Sequence, residues 1–515
     1  MIAPPLARPA GVRHGRPQMA SYMLVTISNG NVAVVTWWED TTASRPGTVD
    51  AVPVARRPCP PERGPVGARP PRSPAAPVPA PLAVAAPPRH ALRGAIRGAS
   101  PLAVAALAAN LANLLVTLVL ARHLSTTAYG ALAQLLALFF VVSMPGSALL
   151  VGVVRKVTPW QQTGEAAMID QWIARVRRGG VVLVVLTGIA ALLLRGVIAT
   201  ALSLPGPGGV AEMLTAGAAW CLLCVDRGLL QSTHRYAGLA ANLLLEGLVR
   251  GALAVGLVLA GLGADGVCLA ILLGVLVGLG HGRSILGSHA GRAAARANPP
   301  AANLSAGTAP AMAPNRLAVE VGAALSALVL LGVLQNIDVL AIGAHRSVDA
   351  GSYAAVSVAC KALVFAAVVL GGFLLPETAS RRHRGEHALH QLGATLAMLA
   401  VPATGLLLVA LLAPAGGLAL AFGPRLTAAA GSLAPLAAAM TCLGATVLFT
   451  HYLLAVGARG VLVVLAAATA LAVAGIWWVG GASVATARLE LALHAVLAAG
   501  TGLLVWADAR RTATR

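Results

Sequence analysis

The sequence predicts an all-α polytopic membrane protein with about 12 transmembrane helices, in two six-helix lobes around a central cavity. Of the 515 residues, 58% are hydrophobic and only 10% are charged, whereas about a quarter of a soluble chain is charged. Apolar runs of about 20 residues, long enough to cross a bilayer as a helix, follow one another from residue 100 onward. Two similar stretches, one in each half, complete the pattern.

Residues 1–95 differ from the rest of the chain. They are rich in Pro, Ala and Arg, a composition that does not bury a core. Within them, residues 22–38 read as two short strands around an Asn-Gly turn. We expect a disordered cytoplasmic tail here. The alternative is upstream sequence read from a misassigned start.

The apolar runs define the remaining domains. We expect an N-terminal lobe at 100–287, a cytoplasmic linker at 288–316, a C-terminal lobe at 317–508 and a cytoplasmic tail at 509–515. The predicted spans are 101–121, 131–154, 181–203, 210–230, 239–262, 265–287, 318–343, 353–376, 391–413, 428–455, 459–480 and 486–507.

Basic residues predict the orientation of the spans. Arg and Lys concentrate in one set of loops, while the opposite loops carry only Arg122, Arg346, Arg425 and Arg488. Cytoplasmic loops carry the excess of basic residues, so both termini are expected in the cytoplasm of a multi-pass plasma membrane protein. The basic residues also explain the net charge of +20 without nucleic acid, since no basic domain with interleaved aromatic residues is present.

An internal repeat links the two halves. The stretches "LVLARHLSTTAYGALAQLLALF" and "VLAIGAHRSVDAGSYAAVSVACKALVF" both run from an apolar helix through a polar turn to Tyr and an Ala-rich helix. Tyr129 and Tyr353 align in this comparison. Two related six-helix halves are the architecture of many transporters.

Four stretches together resemble one family. "LARHLSTTAYGALA", "RGLLQSTHRY", "LQNIDVLAIGAHRSVDAGSYAA" and "FLLPETASR" look like the polysaccharide (O-antigen type) flippases of the multidrug/oligosaccharidyl-lipid/polysaccharide exporter superfamily. The resemblance covers about 100–507. It implies a transporter that moves an undecaprenyl-diphosphate-linked oligosaccharide to the outer leaflet. Related lipid II flippases typically have two additional helices, for which the chain offers no further apolar spans.

One pair of charges lies deep in a predicted span. Glu246 and Arg250 are four residues apart in 239–262, so they share a helix face and can pair. A charge near the bilayer centre costs at least about 2.5–3.5 kcal/mol on insertion scales. The structural interpretation is a neutralised pair. The functional interpretation is a cationic anchor for a diphosphate or acidic sugar, with Glu246 supporting Arg250.

Further polar residues are candidates for substrate binding. Asn110, Asn113 and Thr117 form one stripe on the first span, for helix–helix hydrogen bonding or for sugar hydroxyls. Arg155 ends the second span, either as a topology signal or as an entrance site for the diphosphate. Asp226 and Arg227 end the fourth span and are expected to snorkel to the membrane surface.

A second pair of charges lies in the other half. Asp338 and Lys361 are at similar depths in the seventh and eighth spans, so they are expected to form a salt bridge. This pair is either structural or an outer gate or cation-coupling site. The sequence offers no cofactor motif, no Gly-rich phosphate loop for direct ATP use, and in Cys221 and Cys224 no pair of ligands with metal-site spacing.

Three other functions stay open. A drug or cation antiporter of the same fold needs a buried acid without an Arg partner, and both Glu246 and Asp338 have basic neighbours. A membrane enzyme acting on lipid-linked sugar needs a sizeable external catalytic loop, whereas the predicted outer loops are short. A non-transporting scaffold of cell-envelope assembly would tolerate loss of Arg250. The expected partners are the bilayer, a lipid-linked oligosaccharide and a coupling cation.

Overall fold

A computed structural model describes most of the chain after residue 107 and two strands before it. The described residues are 20–28, 31–39, 108–109, 112–162, 165–233, 235–296, 314–345, 349–383 and 389–513. Strands β1 (Ala20–Ser28) and β2 (Asn31–Glu39) pair in a two-stranded sheet. They flank the Asn-Gly dipeptide, and the rest of the predicted tail lies outside the described residues.

Seven helices form the N-terminal lobe within the described ranges. They are α1 (Ala112–His123), α2 (Thr126–Ser143), α3 (Pro145–Gln162), α4 (Ala166–Ala201), α5 (Val210–Ser232), α6 (Tyr236–Leu259) and α7 (Gly263–Arg296). Helices α2 and α3 together make one membrane span, Thr126–Thr158. Ser125 caps α2, since its hydroxyl accepts from the backbone N–H of Ala128 at 3.1 Å.

Seven more helices form the C-terminal lobe. They are α8 (Pro314–Ala344), α9 (Ala350–His383), α10 (Leu389–Leu412), α11 (Pro414–Phe422), α12 (Leu433–Ala455), α13 (Gly460–Trp478) and α14 (Ser483–Ala513). The short α11 and two 3-10 turns, Pro424–Leu426 and Ala430–Ser432, connect α10 to α12.

The polytopic helical prediction is confirmed. The described part of the chain contains 11 helices long and apolar enough to cross a membrane, and the shorter apolar α1 overlaps the second half of the first predicted span. Helices also extend beyond the predicted spans: α4 has 36 residues, or about 54 Å of helix. Helix α7 continues to Arg296 and α8 begins at Pro314. Both therefore enter the predicted linker, of which 297–313 lies outside the described residues.

Each lobe is built around one central helix. Helix α5 packs against α2, α3, α4, α6 and α7, and α12 packs against α8, α9, α10 and α14. Both central helices are buried over most of their length. By contrast, α4 is exposed over most of its apolar span, as suits a helix that faces lipid.

The lobes meet through α2, α3, α8 and α9. Tyr129 and Tyr353 are each the fourth residue of their helices, α2 and α9, and both are buried. Beside them the backbones approach closely, since a Cβ on Gly130 would lie 3.0 Å from the backbone nitrogen of Gly351. The two similar turns found in the sequence therefore come together where the lobes touch.

Candidate functional site

The α6–α7 hairpin positions the first cluster of buried charges. Gly261 has a φ of +89°, which glycine adopts without strain, and ends α6. The amide of Leu262 donates to the Leu257 carbonyl and that of Gly261 to the Val258 carbonyl, both at 3.0 Å. This is the Schellman arrangement of helix ends. It turns the chain so that α7 runs back along α6.

A row of glycines on α7 makes room for polar side chains on α6. A Cβ on Gly274 would lie 2.6 Å from the Arg250 Cβ, and one on Gly278 would lie 3.2 Å from the Glu246 Cγ. One turn further, the Asn242 amide nitrogen donates to the Gly278 carbonyl at 2.7 Å. The spacing of Gly274, Gly278 and Gly282 is the small-residue pattern of close helix packing in membranes.

Two arginines share one glutamate in this cluster. Glu246 is fully buried, and Arg250 Nη1 lies 3.4 Å from its Oε1. Arg227 Nη2, from α5, lies 3.5 Å from Oε2 of the same carboxylate. Arg250 is 9% exposed and Arg227 3%. The i,i+4 pair expected from the sequence is therefore formed, and a second arginine joins it.

Neutral groups hold both guanidinium groups in place. Arg250 Nη2 donates to the Asn113 side-chain oxygen of α1 at 2.7 Å. Arg227 Nε donates to the Asn242 side-chain oxygen at 2.9 Å, and its guanidinium lies 5.0 Å from the centre of the Trp220 ring. Asn113 thus joins the cluster, while Asn110, the other predicted asparagine, lies outside the described residues.

Snorkelling of Asp226 and Arg227 is a wrong prediction. Asp226 is fully buried and Arg227 is 3% exposed, because α5 is enclosed by its neighbours even close to its end. Arg177 of α4 lies 2.8 Å from one Asp226 oxygen, and Arg283 of α7 lies 3.6 Å from the other. These ion pairs connect α4, α5 and α7 at the predicted cytoplasmic end of the lobe.

The charge balance of the Arg250 cluster determines its chemistry. Among the described side chains, two guanidinium groups pair with one carboxylate, so positive charge is in excess in this buried setting. A guanidinium binds phosphate or carboxylate oxygens through paired hydrogen bonds. The cluster can therefore attract an anion.

Arg155 lies elsewhere, on α3 near its C-terminal end, with an exposed side chain.

The second cluster centres on Asp338 of α8. Lys361 Nζ of α9 lies 3.3 Å from one Asp338 oxygen, so the predicted pair is formed. The hydroxyls of Tyr353 and Ser357, also from α9, donate to the other oxygen at 3.2 and 2.9 Å. Lys361 additionally donates to the Asn336 side-chain oxygen at 3.4 Å. All of these side chains are buried.

Sequence reasoning missed a second acidic residue beside this pair. Glu490 of α14 is fully buried and interacts electrostatically with Asp338 and Lys361. Neither of its carboxyl oxygens has a hydrogen-bond partner among the described residues. Thr486 and His494, one turn away on either side, are also buried. Their spacing of i, i+4 and i+8 in an apolar span was the available signal.

The described side chains offer no metal centre. Among them, no group of three or more His, Cys, Asp or Glu residues is arranged to hold a metal ion. Cys221 and Cys224 of the "CLLC" motif lie on α5 as unpaired thiols. Cys224 is buried, and Cys221 lies 3.5 Å from the Val142 carbonyl. Both pack as small core residues.

Solved structures share this fold. An inward-facing multidrug resistance MATE family transporter of the MOP superfamily has a TM-score of 0.54 and 12% identity, over 78% of this chain and 95% of its own. A MOP superfamily transporter from Pyrococcus furiosus gives 0.54 and 12%, over 81% and 94%. The lipid II flippase MurJ, in an inward closed conformation, gives 0.54 and 11%, over 77% and 86%.

Sequence comparison adds no closer relationship. No protein-family model matches the chain, and neither does any curated protein sequence. At 11–12% identity the structural likeness shows the fold. The chain has the fold of the MOP superfamily transporters.

Proposed function

We propose that this chain, with the fold of the MOP superfamily transporters, is a flippase for lipid-linked oligosaccharide. Its substrate would be an oligosaccharide on undecaprenyl diphosphate, moved from the inner to the outer leaflet of the plasma membrane during cell-envelope polysaccharide synthesis. The observation that carries the proposal is Arg250, a guanidinium held inside the N-terminal lobe by Glu246 and Asn113. The cluster around it has a positive charge in excess.

The chemistry of the substrate matches this cluster. A diphosphate carries several anionic oxygens, and a planar guanidinium is suited to bidentate phosphate binding. Arg250 would bind the diphosphate, and Glu246 and Asn113 would fix its orientation. Asn110 and Asn113 would offer hydrogen bonds to sugar hydroxyls. Arg155, exposed near the end of α3, would attract the diphosphate at the cytoplasmic entrance.

Translocation would follow alternating access. The two lobes would rock against each other so that the space between them opens to one side at a time. The diphosphate and sugar would occupy the polar interior while the lipid tail stays in the bilayer. The Asp338–Lys361 pair would act as an outer gate or as a coupling site for a cation. Both termini would lie in the cytoplasm.

Depletion of the protein in cells tests the proposal. Lipid-linked oligosaccharides are extracted and their leaflet is assigned by accessibility to an external enzyme, with wild type, Arg250→Ala or Arg195→Ala restored. Arg195 is the matched control, because it is an exposed arginine on the lipid-facing α4. We expect intermediates to accumulate at the cytoplasmic leaflet, and wild type and Arg195→Ala to clear them. Arg250→Ala, at equal protein level, should not.

Each other outcome identifies a different error. If no intermediate accumulates on depletion, the chain is not a flippase for this substrate. If Arg250→Ala clears the intermediate as well as wild type, the anion does not bind at Arg250 and the Glu246 pair is structural. If depletion blocks polymer assembly while every arginine variant restores it, the chain is a non-transporting scaffold.

A drug or cation antiporter of the same fold is the second candidate. One observation favours it: Glu490 is a buried acid without a hydrogen-bond partner among the described residues, the feature that the sequence reasoning found lacking. Efflux of cationic dyes from cells distinguishes the two candidates. An antiporter lowers dye accumulation when expressed, whereas a dedicated oligosaccharide flippase leaves it unchanged.

A further inference from the structure

A polar column on α14 has no role in the anion-binding cluster. Thr486, Glu490 and His494 occupy one face at successive turns and are 0%, 0% and 1% exposed. The Thr486 hydroxyl, both Glu490 oxygens and the His494 Nδ1 have no hydrogen-bond partner among the described residues. Buried polar atoms are paired in the great majority of cases, so this column is an exception that calls for a function.

The ionisable groups around Glu490 come from two neighbouring helices and from α14 itself, where His494 lies one turn away and interacts electrostatically with Asp338. Asp338 of α8 and Lys361 of α9 interact with Glu490 electrostatically. Tyr353 and Cys360, also on α9, interact electrostatically with Asp338 and Glu490. Among the other packed elements, α12 carries Cys442, His451 and Tyr452, while α13 and the 3-10 turn Ala430–Ser432 carry no ionisable residue.

The charges in this cluster do not balance if both acids are ionised. Two carboxyl groups, Asp338 and Glu490, face a single ammonium group, Lys361. Asp338 receives the ammonium and two hydroxyl donors, which stabilise a carboxylate. Glu490 receives no donor from the described residues. Burial without a donor disfavours the ionised form of a carboxyl group, so of the two acids Glu490 is the better candidate to hold a proton.

We propose that the Asp338–Lys361–Glu490 cluster is a proton-carrying site, in which Glu490 binds and releases one proton and Lys361 is a built-in cation. The ammonium occupies the position next to Asp338 that a metal ion would otherwise need. The site should therefore respond to pH and not to sodium or potassium. The inference rests on the proposed transport function, because it identifies the ion whose movement would drive the motion of the two lobes.

The proton step is simple. The O–H bond of the Glu490 carboxyl breaks when water from one side of the membrane reaches it, and the proton goes to that water. The carboxylate left behind is then attracted to Lys361, which it shares with Asp338. Reprotonation from the other side restores the neutral acid and the original pairing. A change in the ion pairing between α8, α9 and α14 thus accompanies each proton.

Infrared spectroscopy of the full-length protein in lipid nanodiscs tests the site without any substrate. A protonated carboxyl in an apolar setting has a C=O stretching band that a carboxylate lacks and that shifts in D2O. We expect such a band near neutral pH in wild type, its loss as pH rises, and its absence in Glu490→Gln. Glu165→Gln is the matched control, since Glu165 is exposed at the start of α4, and it should retain the band.

Added salt distinguishes a proton site from a metal site. Replacing choline chloride with sodium or potassium chloride should leave the wild-type band unchanged. In Lys361→Met the built-in cation is gone, so sodium should now displace the proton and weaken the band. Loss of the band with sodium in wild type would make this a metal site and overturn the proposal. So would a band that survives in Glu490→Gln.

A second variant keeps the test decisive. If Glu490→Gln does not fold, Glu490→Asp replaces it and should shift the band without removing it. An unshifted band would then belong to another group and would contradict the proposal. The infrared result is independent of the lipid-linked oligosaccharide. A proton site can therefore be found while the flippase assay fails, or be missing while that assay succeeds.

Discussion

Each lobe buries a cluster of charged side chains, and the two clusters have opposite charge balance. In the N-terminal lobe, Arg227 and Arg250 share the single carboxylate of Glu246. In the C-terminal lobe, the ammonium of Lys361 pairs with Asp338, and Glu490 is buried without a hydrogen-bond partner among the described residues. The first cluster has a positive charge in excess and suits an anion. The second has an acid in excess, so under the two proposals the N-terminal cluster would bind an anion and the C-terminal cluster a proton.

The clusters also differ in how completely they are paired. Glu246 lies between two guanidinium groups, which are in turn bound by Asn242 and Asn113. Glu490 has no hydrogen-bond partner among the described residues. Saturated polar networks are rigid, whereas unsatisfied ones are costly in a low-dielectric interior. Under the two proposals, the N-terminal cluster would therefore act as a fixed anchor and the C-terminal cluster as a site that changes its protonation state.

The largest expected effect is the loss of the shared carboxylate in the N-terminal lobe. Glu246→Ala leaves Arg227 and Arg250 buried without a counter-ion, and breaking a buried ion pair from one side costs about 3–5 kcal/mol. We expect a steep fall in folded protein and in the temperature of unfolding in detergent. Glu165→Ala, at an exposed site, is the control. Equal stability of the two variants would mean that the arginines do not depend on Glu246.

The matching change in the C-terminal lobe should lower the stability of the protein by a smaller amount. Asp338→Asn keeps the shape but removes the negative partner of Lys361, and hydrogen bonds to charged groups contribute about 1.5–3 kcal/mol. Only one cation loses its partner here, whereas Glu246→Ala affects two, so the loss should be smaller. Thermal unfolding compared with Asp170→Asn, an exposed acid on α4, measures the difference. A loss larger than that of Glu246→Ala would reverse the comparison.

The glycine row on α7 sharpens the comparison, since only the N-terminal cluster depends on it. Gly274→Ala puts a methyl group 2.6 Å from the Arg250 Cβ, and overpacking of this kind costs about 1–3 kcal/mol. Gly280→Ala, on the same helix, meets nothing within 4 Å and serves as the control. We expect Gly274→Ala alone to lower the unfolding temperature. An equal effect of both would attribute the loss to helix propensity rather than to contact with α6.

The length of the apolar runs predicted the helices well, because about 20 apolar residues in a row have one stable solution in a bilayer. All 12 predicted spans overlap described helices. The pattern did not predict where helices continue outside the membrane. The charged start of α4, from Ala166 to about residue 180, read as loop because its arginines break the apolar run.

Pairings within one helix or one hairpin were also predictable. Glu246 with Arg250 follows from i,i+4 spacing, and Asp338 with Lys361 follows from their similar depth. Contacts between distant helices were not, because a sequence does not state which faces pack together. Arg227 looked like a snorkelling residue near a helix end, yet α6 and α7 enclose it. Glu490 had a readable spacing, but its neighbours on α8 and α9 are supplied by the fold.

The smallest effect is expected at Glu490. If this residue is a neutral acid without hydrogen-bond donors, Glu490→Gln replaces one uncharged planar group by another. No contact is broken, so the free energy of unfolding should change by no more than about 0.5 kcal/mol. Unfolding temperatures of Glu490→Gln and Asp338→Asn, measured side by side, test this. A loss as large as that of Asp338→Asn would mean that Glu490 is ionised and paired with Lys361. In that case the C-terminal cluster would be a fixed ion-pair network like the N-terminal one.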